Sequence, residues 1–304
     1  MENFNIVGKG AKNTEMRHDN DSFLTETIYR SSKPVEGELA KTEIEKKMVM
    51  MVDILLEEEF ENLGLEYDHF VDENQVHVIN ESKKEKYIDS TADAVYDSAH
   101  QQIFLSPESE NNSRANQFHH LLHESIHAVS YHKYFLQENG ELDNYRIGYR
   151  VDHPNKDTVR FKALNEAVTE RIALEIIDLK KRVLMEELSV SEEDFDESYI
   201  SYSDEVDILE SIIDSMSEST GESFKEIWIK FKKSLFSGEM MFLRDIEKVF
   251  GVNSLKVLAN IKTHYKKEES NIFELHKLYF SNKLSSEERD LITSRILNEA
   301  VKYE

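Results

Sequence analysis

The chain of 304 residues contains no cysteine, so no disulfide can form, and a reducing compartment suits it. It is also poor in positive charge: Lys and Arg number 37 against 61 Asp and Glu, a net charge of -24. Such a surface repels nucleic acid and anionic membranes, so neither is an expected partner. No apolar run approaches membrane-spanning length. The start, Met1 to Gly8, has neither a basic end nor an apolar core, so no signal peptide is expected and a cytoplasmic location is the default.

What is present suits a globular protein, with 39% hydrophobic residues. Residues 1–40 are polar and patternless and are expected to be flexible. Lys41 to Asn62 carries Ile44, Met48, Met51, Val52 and Leu55 at helical spacing, with Gly64 as a stop. Met48, Met50 and Met51 suggest a gap-filling core cluster. Gln75 to Ile79, Ala94 to Tyr96 and Gln102 to Leu105 read as short strands, the last two joined in a hairpin. Glu186 to Glu197, with seven acidic residues in twelve, is expected to be a linker. Beyond it the chain reads as all helix, with stripes at Val206 to Met216, Phe224 to Leu235 and Met241 to Phe250. The expected organisation is a flexible segment 1–40, an α+β domain 41–188, and a helical region 198–304.

The chemistry is concentrated in His123-Glu124-Ser125-Ile126-His127. Residues four apart share a helix face, so His123 and His127 can offer two imidazoles to one metal ion. Glu124, one step round, can take a proton from a metal-activated water. Phe118, Leu121, Leu122, Ile126 and Val129 recur around the motif at helical spacing. Asn112 or Ser113 offers the cap and Gly140 the stop. The motif therefore lies beside an apolar stripe, as a buried metal site requires.

A catalytic zinc needs three protein ligands and one open position. The metzincin arrangement, a third histidine six residues on with a glycine between, is excluded because Lys133 and Ser130 hold those places. His132 is near but falls on the wrong face if the helix continues. A second helix through Leu164-Asn165-Glu166-Ala167-Val168-Thr169-Glu170 offers Glu166 and Glu170 on one face. One carboxylate can bind the metal while the other supports a ligand imidazole. Leu297 to Val301 repeats the letters of Leu164 to Val168 and makes Glu299 a rival third ligand.

His123-Glu124-x-x-His127 followed by Asn165-Glu166-x-x-Thr169-Glu170 resembles the gluzincin branch of zinc metallopeptidases, the thermolysin clan. The resemblance spans roughly Val76 to Leu188 and is closest to compact, often cytosolic relatives. It implies a zincin-like catalytic domain: a small mixed sheet plus two active-site helices, followed here by the helical region. It implies Zn2+ as cofactor, held by His123, His127 and Glu166, with Glu124 as general base and acid. Asn165 and Glu170 become supports of the ligands. Thermolysin has Asp at the place of Glu170, and its two motifs lie closer together.

The same resemblance implies a peptide or protein substrate, paired with an edge strand just before the motif helix, here Gln102 to Leu105. It also implies a donor for the anionic oxygen of the reaction. Tyr145, Tyr149 and His153 lie within reach in Tyr145 to Pro154, which alternates like a strand, and Tyr149 is the preferred choice. Tyr199 or Tyr202 offers the same chemistry from downstream. The alternative function is a zinc-binding, non-hydrolytic interaction protein that acts through its helical half. An intact Glu124 argues against it.

Overall fold

The protein is described by a computed structural model, which covers residues 6–9, 34–67, 71–109, 112–136, 142–152, 158–196, 201–263, 270–281 and 284–300. It is an α+β chain in which helix predominates and the sheets are small. It divides into two compact units. One comprises residues 1–144 and 172–199, the other residues 145–171 and 200–304.

In the first unit, helix α1 (Glu43–Leu63) begins at Thr42, whose side chain accepts from the Glu45 amide while Glu45 reaches back to the Thr42 amide. It buries Met48, Val52, Leu56 and Phe60 and ends at Gly64, where φ is +66°. Strands β2 (Val76–Val78), β3 (Ala94–Asp97) and β4 (Gln102–Leu105) form a sheet in the order β2-β4-β3. β2 runs parallel to β4, with Val76 opposite Ile103, and β3 runs antiparallel, with Tyr96 opposite Ile103. All four residues of β4 are buried, which matches a central strand covered on both faces.

Helix α2 (Arg114–Val129) packs across β3, β4 and α1. Ser113 caps it by accepting from the Asn116 amide. Gln117 Nε2 ties its first turns to the Ser106 carbonyl at 3.0 Å, and Arg114 Nη1 reaches the Leu188 carbonyl at 2.9 Å. After α2 the chain enters β5 (His132–Leu136), which pairs antiparallel with β1 (Ile6–Lys9).

In the second unit, β6 (Leu142–Ile147), β7 (Arg150–Asp152) and β8 (Val159–Arg160) pair antiparallel through Tyr145 and the residues that follow it. Helix α3 (Lys162–Leu188) is continuous, although the boundary between the units falls within it. After the short α4 (Glu192–Asp196) come α5 (Ser203–Thr220), α6 (Phe224–Ser237), α7 (Arg244–Phe250), α8 (Ser254–Ala259), α9 (Ser270–Tyr279) and α10 (Ser286–Ala300). Ile208, Ile212, Ile227, Phe231, Leu235, Ile246 and Phe250 form their apolar centre, and each is under 3% exposed. Among the described residues no helix is long and apolar enough to cross a membrane.

The structure departs from the sequence expectations in several places. Met50, expected in a core cluster with Met48, is 56% exposed, while Met48 is buried. Helix α2 stops at Val129 rather than running toward Gly140, because Ser130 leaves the helix with ψ near 166°. β4 is the central strand, not an edge, because β2 crosses to its far side; β3 is the edge nearest α2. Tyr145 to Asp152 is a hairpin turning at Gly148, not one strand. Leu188 and Phe195, within the expected acidic linker, are buried in helical segments of the first unit.

Candidate functional site

Helix α2 carries its polar residues inward. Of its sixteen residues, twelve are buried, and these include Gln117, His119, His123, Ser125 and His127. Burying polar groups is unfavourable unless they find partners, and Gln117 finds one in the Ser106 carbonyl.

His123 and His127 are 5% and 8% exposed. Their Nε2 atoms lie 3.2 Å apart, with ring planes at 75°. Two nitrogens bound to one zinc at ~2.1 Å with tetrahedral angles lie roughly 3.4 Å apart, so the pair already has the spacing of ligands. Glu166, on α3, is 7% exposed. One ligand atom from each of His123, His127 and Glu166 lies within 4.8 Å of the others. Two imidazoles and a carboxylate form a three-ligand set that zinc accepts and that leaves a position open; manganese and cobalt also fit such donors. The residues present therefore fit the metal.

Glu124, next to His123, is half-buried. Its Oε2 accepts from the Tyr96 amide at 2.8 Å. In the β3–β4 ladder the Asp93 carbonyl faces β4, where it accepts from the Ser106 amide. Backbone groups alternate along a strand, so Ala94 and Tyr96 turn theirs away from β4, and Glu124 meets β3 on that outer side. Among the described residues Oε1 of Glu124 accepts no hydrogen bond.

On α3, Asn165 and Glu170 are each 1% exposed. Glu170 lies one turn beyond Glu166 on the same face. Asn165 Oδ1 accepts from the Tyr149 amide at 2.8 Å, which pins the hairpin turn to the helix. Gly148, in that turn, has φ +53°, and a Cβ there would fall 2.4 Å from Asn165 Oδ1. Only glycine permits both the conformation and the approach.

Tyr149 itself is fully buried. Its hydroxyl donates to the Phe231 carbonyl at 2.9 Å, and burial pushes its pKa far above the ordinary phenol value. The residue chosen from sequence as oxyanion donor is thus placed as a core tyrosine whose proton is committed to α6. Tyr145 is half-buried in β6, and Tyr202 precedes α5. His153, Tyr199 and the side chain of Glu299 lie outside the described residues.

Sequence reasoning missed the Tyr96 amide, which holds Glu124, and it set His132 aside. The signal for His132 was present in Tyr131, Tyr134 and Phe135, an aromatic cluster that favours strand over continued helix. Comparison with family models, curated proteins and solved structures finds no match.

Proposed function

We propose that the protein is a zinc-dependent peptidase of gluzincin type, with a zincin-like arrangement of a small sheet, the motif helix α2 and the glutamate helix α3. The observation that carries this reading is the buried convergence of His123, His127 and Glu166 with a carboxylate, Glu124, beside it. When bound, the metal supplies a Lewis acid for the scissile carbonyl and lowers the pKa of a water.

The remaining work belongs to the chain. The imidazole nitrogens of His123 and His127 and the Glu166 carboxylate, all buried, would hold the ion. Glu124 keeps Oε2 on the Tyr96 amide and has Oε1 for the proton of the attacking water. The same carboxyl then returns that proton to the leaving amine, acting first as base and then as acid. The Tyr149 hydroxyl takes no part in this scheme, because it is bonded to Phe231.

The test is cleavage of a peptide library by the zinc-loaded protein and by Glu124→Gln. The wild type is expected to cut, and the variant to lose about 10²–10⁴-fold in rate while keeping its zinc. Zinc bound without cleavage of any peptide would replace this reading with a non-hydrolytic zinc protein.

A further inference from the structure

His132 has no assigned role and is fully buried at the start of β5, five residues past the second motif histidine. Its Nδ1 lies 2.7 Å from the Ser130 carbonyl. A carbonyl oxygen only accepts, so Nδ1 carries the proton and Nε2 presents a lone pair. Nε2 lies 3.2 Å from the Tyr96 hydroxyl, which also hydrogen-bonds the Tyr134 hydroxyl; with the buried imidazole neutral, the phenol donates to it. Burial drives the Tyr96 pKa well above its ordinary value and keeps it the donor.

The contact is braced on both sides. The Tyr96 ring meets His132 edge-on at 5.6 Å, and His132 stacks on Tyr134 at 5.7 Å. The Tyr134 hydroxyl donates to the Ser98 carbonyl and accepts from Gln101 Nε2, which anchors the β3–β4 turn. Gln101 also donates to the Ser98 carbonyl at 2.9 Å and holds φ of +57°, a strained turn conformation stabilised by this cluster.

One residue links this polar cluster to the candidate site. The side chain of Tyr96 is fixed by His132, and its amide is the donor to Glu124 Oε2. Among the described residues β3 has a sheet partner on one side only, so its lateral position rests on β4 and on this side-chain anchor. We propose that His132 is a positioning residue for Glu124: by accepting from the Tyr96 hydroxyl it sets the β3 amide that orients the carboxylate. The assignment rests on the peptidase reading, since it gives Glu124 a reaction to be oriented for.

The test measures hydrogen exchange at the Tyr96 amide by NMR in the full-length protein, then kcat and KM on a cleaved peptide. Glu124→Ala calibrates how far the carboxylate protects that amide. Tyr96→Phe and His132→Ala are expected to speed its exchange about tenfold. Exchange at Leu122, inside α2, should stay as in wild type, which shows the fold intact. In the same two variants kcat should fall about ten- to a hundredfold with KM unchanged, because Glu124 acts on the reaction rather than on binding. His132→Gln, which keeps an acceptor for the phenol, should recover most of both effects.

Wild-type exchange at Tyr96 in both Tyr96→Phe and His132→Ala would overturn the proposal. Loss of kcat that His132→Gln does not recover would also overturn it. Faster exchange in a protein whose wild type cleaves no peptide would leave the contact standing and bring down the peptidase reading instead.

Discussion

Two sets of buried histidines separate the two regions of the chain. His276, on α9 among the C-terminal helices, is 2% exposed, and loss of hydration pushes its pKa down to about 4. It is held neutral by its surroundings and serves packing. His123 and His127 on α2 are nearly as buried, yet their Nε2 atoms face each other at 3.2 Å, with a ligand atom of Glu166 within 4.8 Å. Burial of a histidine therefore does not by itself point to a ligand. What sets His123 and His127 apart is that, together with Glu166, they place three donor atoms within reach of a single ion.

The largest effect that sharpens this contrast is the pH dependence contributed by His276. Folded, it stays neutral; unfolded, it takes a proton below about pH 6.5. Its contribution is complete above pH 6.5 and is lost as pH falls toward 4, about 3 kcal/mol in all. Urea unfolding at stepped pH should show this, with a shallower slope in His276→Leu. Equal slopes would remove the packing role assigned to His276.

Next is metal linkage at α2. Zinc at about 100 times its dissociation constant should stabilise wild type by about 2.7 kcal/mol and leave His127→Leu unchanged in thermal unfolding. Equal stabilisation of both proteins would dissolve the distinction between the two histidine sets.

A third, smaller effect tests the turn held against α3. Gly148→Ala forces a Cβ into Asn165 Oδ1 and Leu235 at a positive φ, and should lower stability by about 2 kcal/mol. Comparable stability would show that the Asn165 contact is slack. Smallest are the helix caps. Ser113→Ala at α2 and Ser223→Ala at α6 each remove a side chain that accepts from a first-turn amide, for about 1 kcal/mol apiece in denaturant midpoint analysis. A markedly unequal pair would mean that one helix is held mainly by its tertiary contacts.

What was legible in the sequence follows the range of the interactions. α1, with Thr42 and Gly64 at its ends, and α6, with Ser223 and Gly238, announce themselves through caps and apolar periodicity, which are local. The H-E-x-x-H pair was legible because helical geometry alone brings residues four apart to one face. Glu166 was visible as one of two stacked acids, but its approach to the histidines depends on tertiary structure. The centrality of β4 was hidden because it depends on β2 crossing in parallel from outside the hairpin. The end of α2 was misplaced because neither glycine nor proline marks Ser130, and with it went the entry of His132 into β5. Tyr149 looked like a donor from its place beside Gly148; only the three-dimensional packing assigns its hydroxyl to Phe231.

The most direct test of the central claim is the metal content of the purified protein, by mass spectrometry, for wild type, His123→Ala, Glu166→Ala and Glu299→Ala. About one zinc per chain is expected, lost in the first two variants and kept in the third. No zinc in wild type after zinc is supplied, or zinc kept by Glu166→Ala and lost by Glu299→Ala, would contradict it.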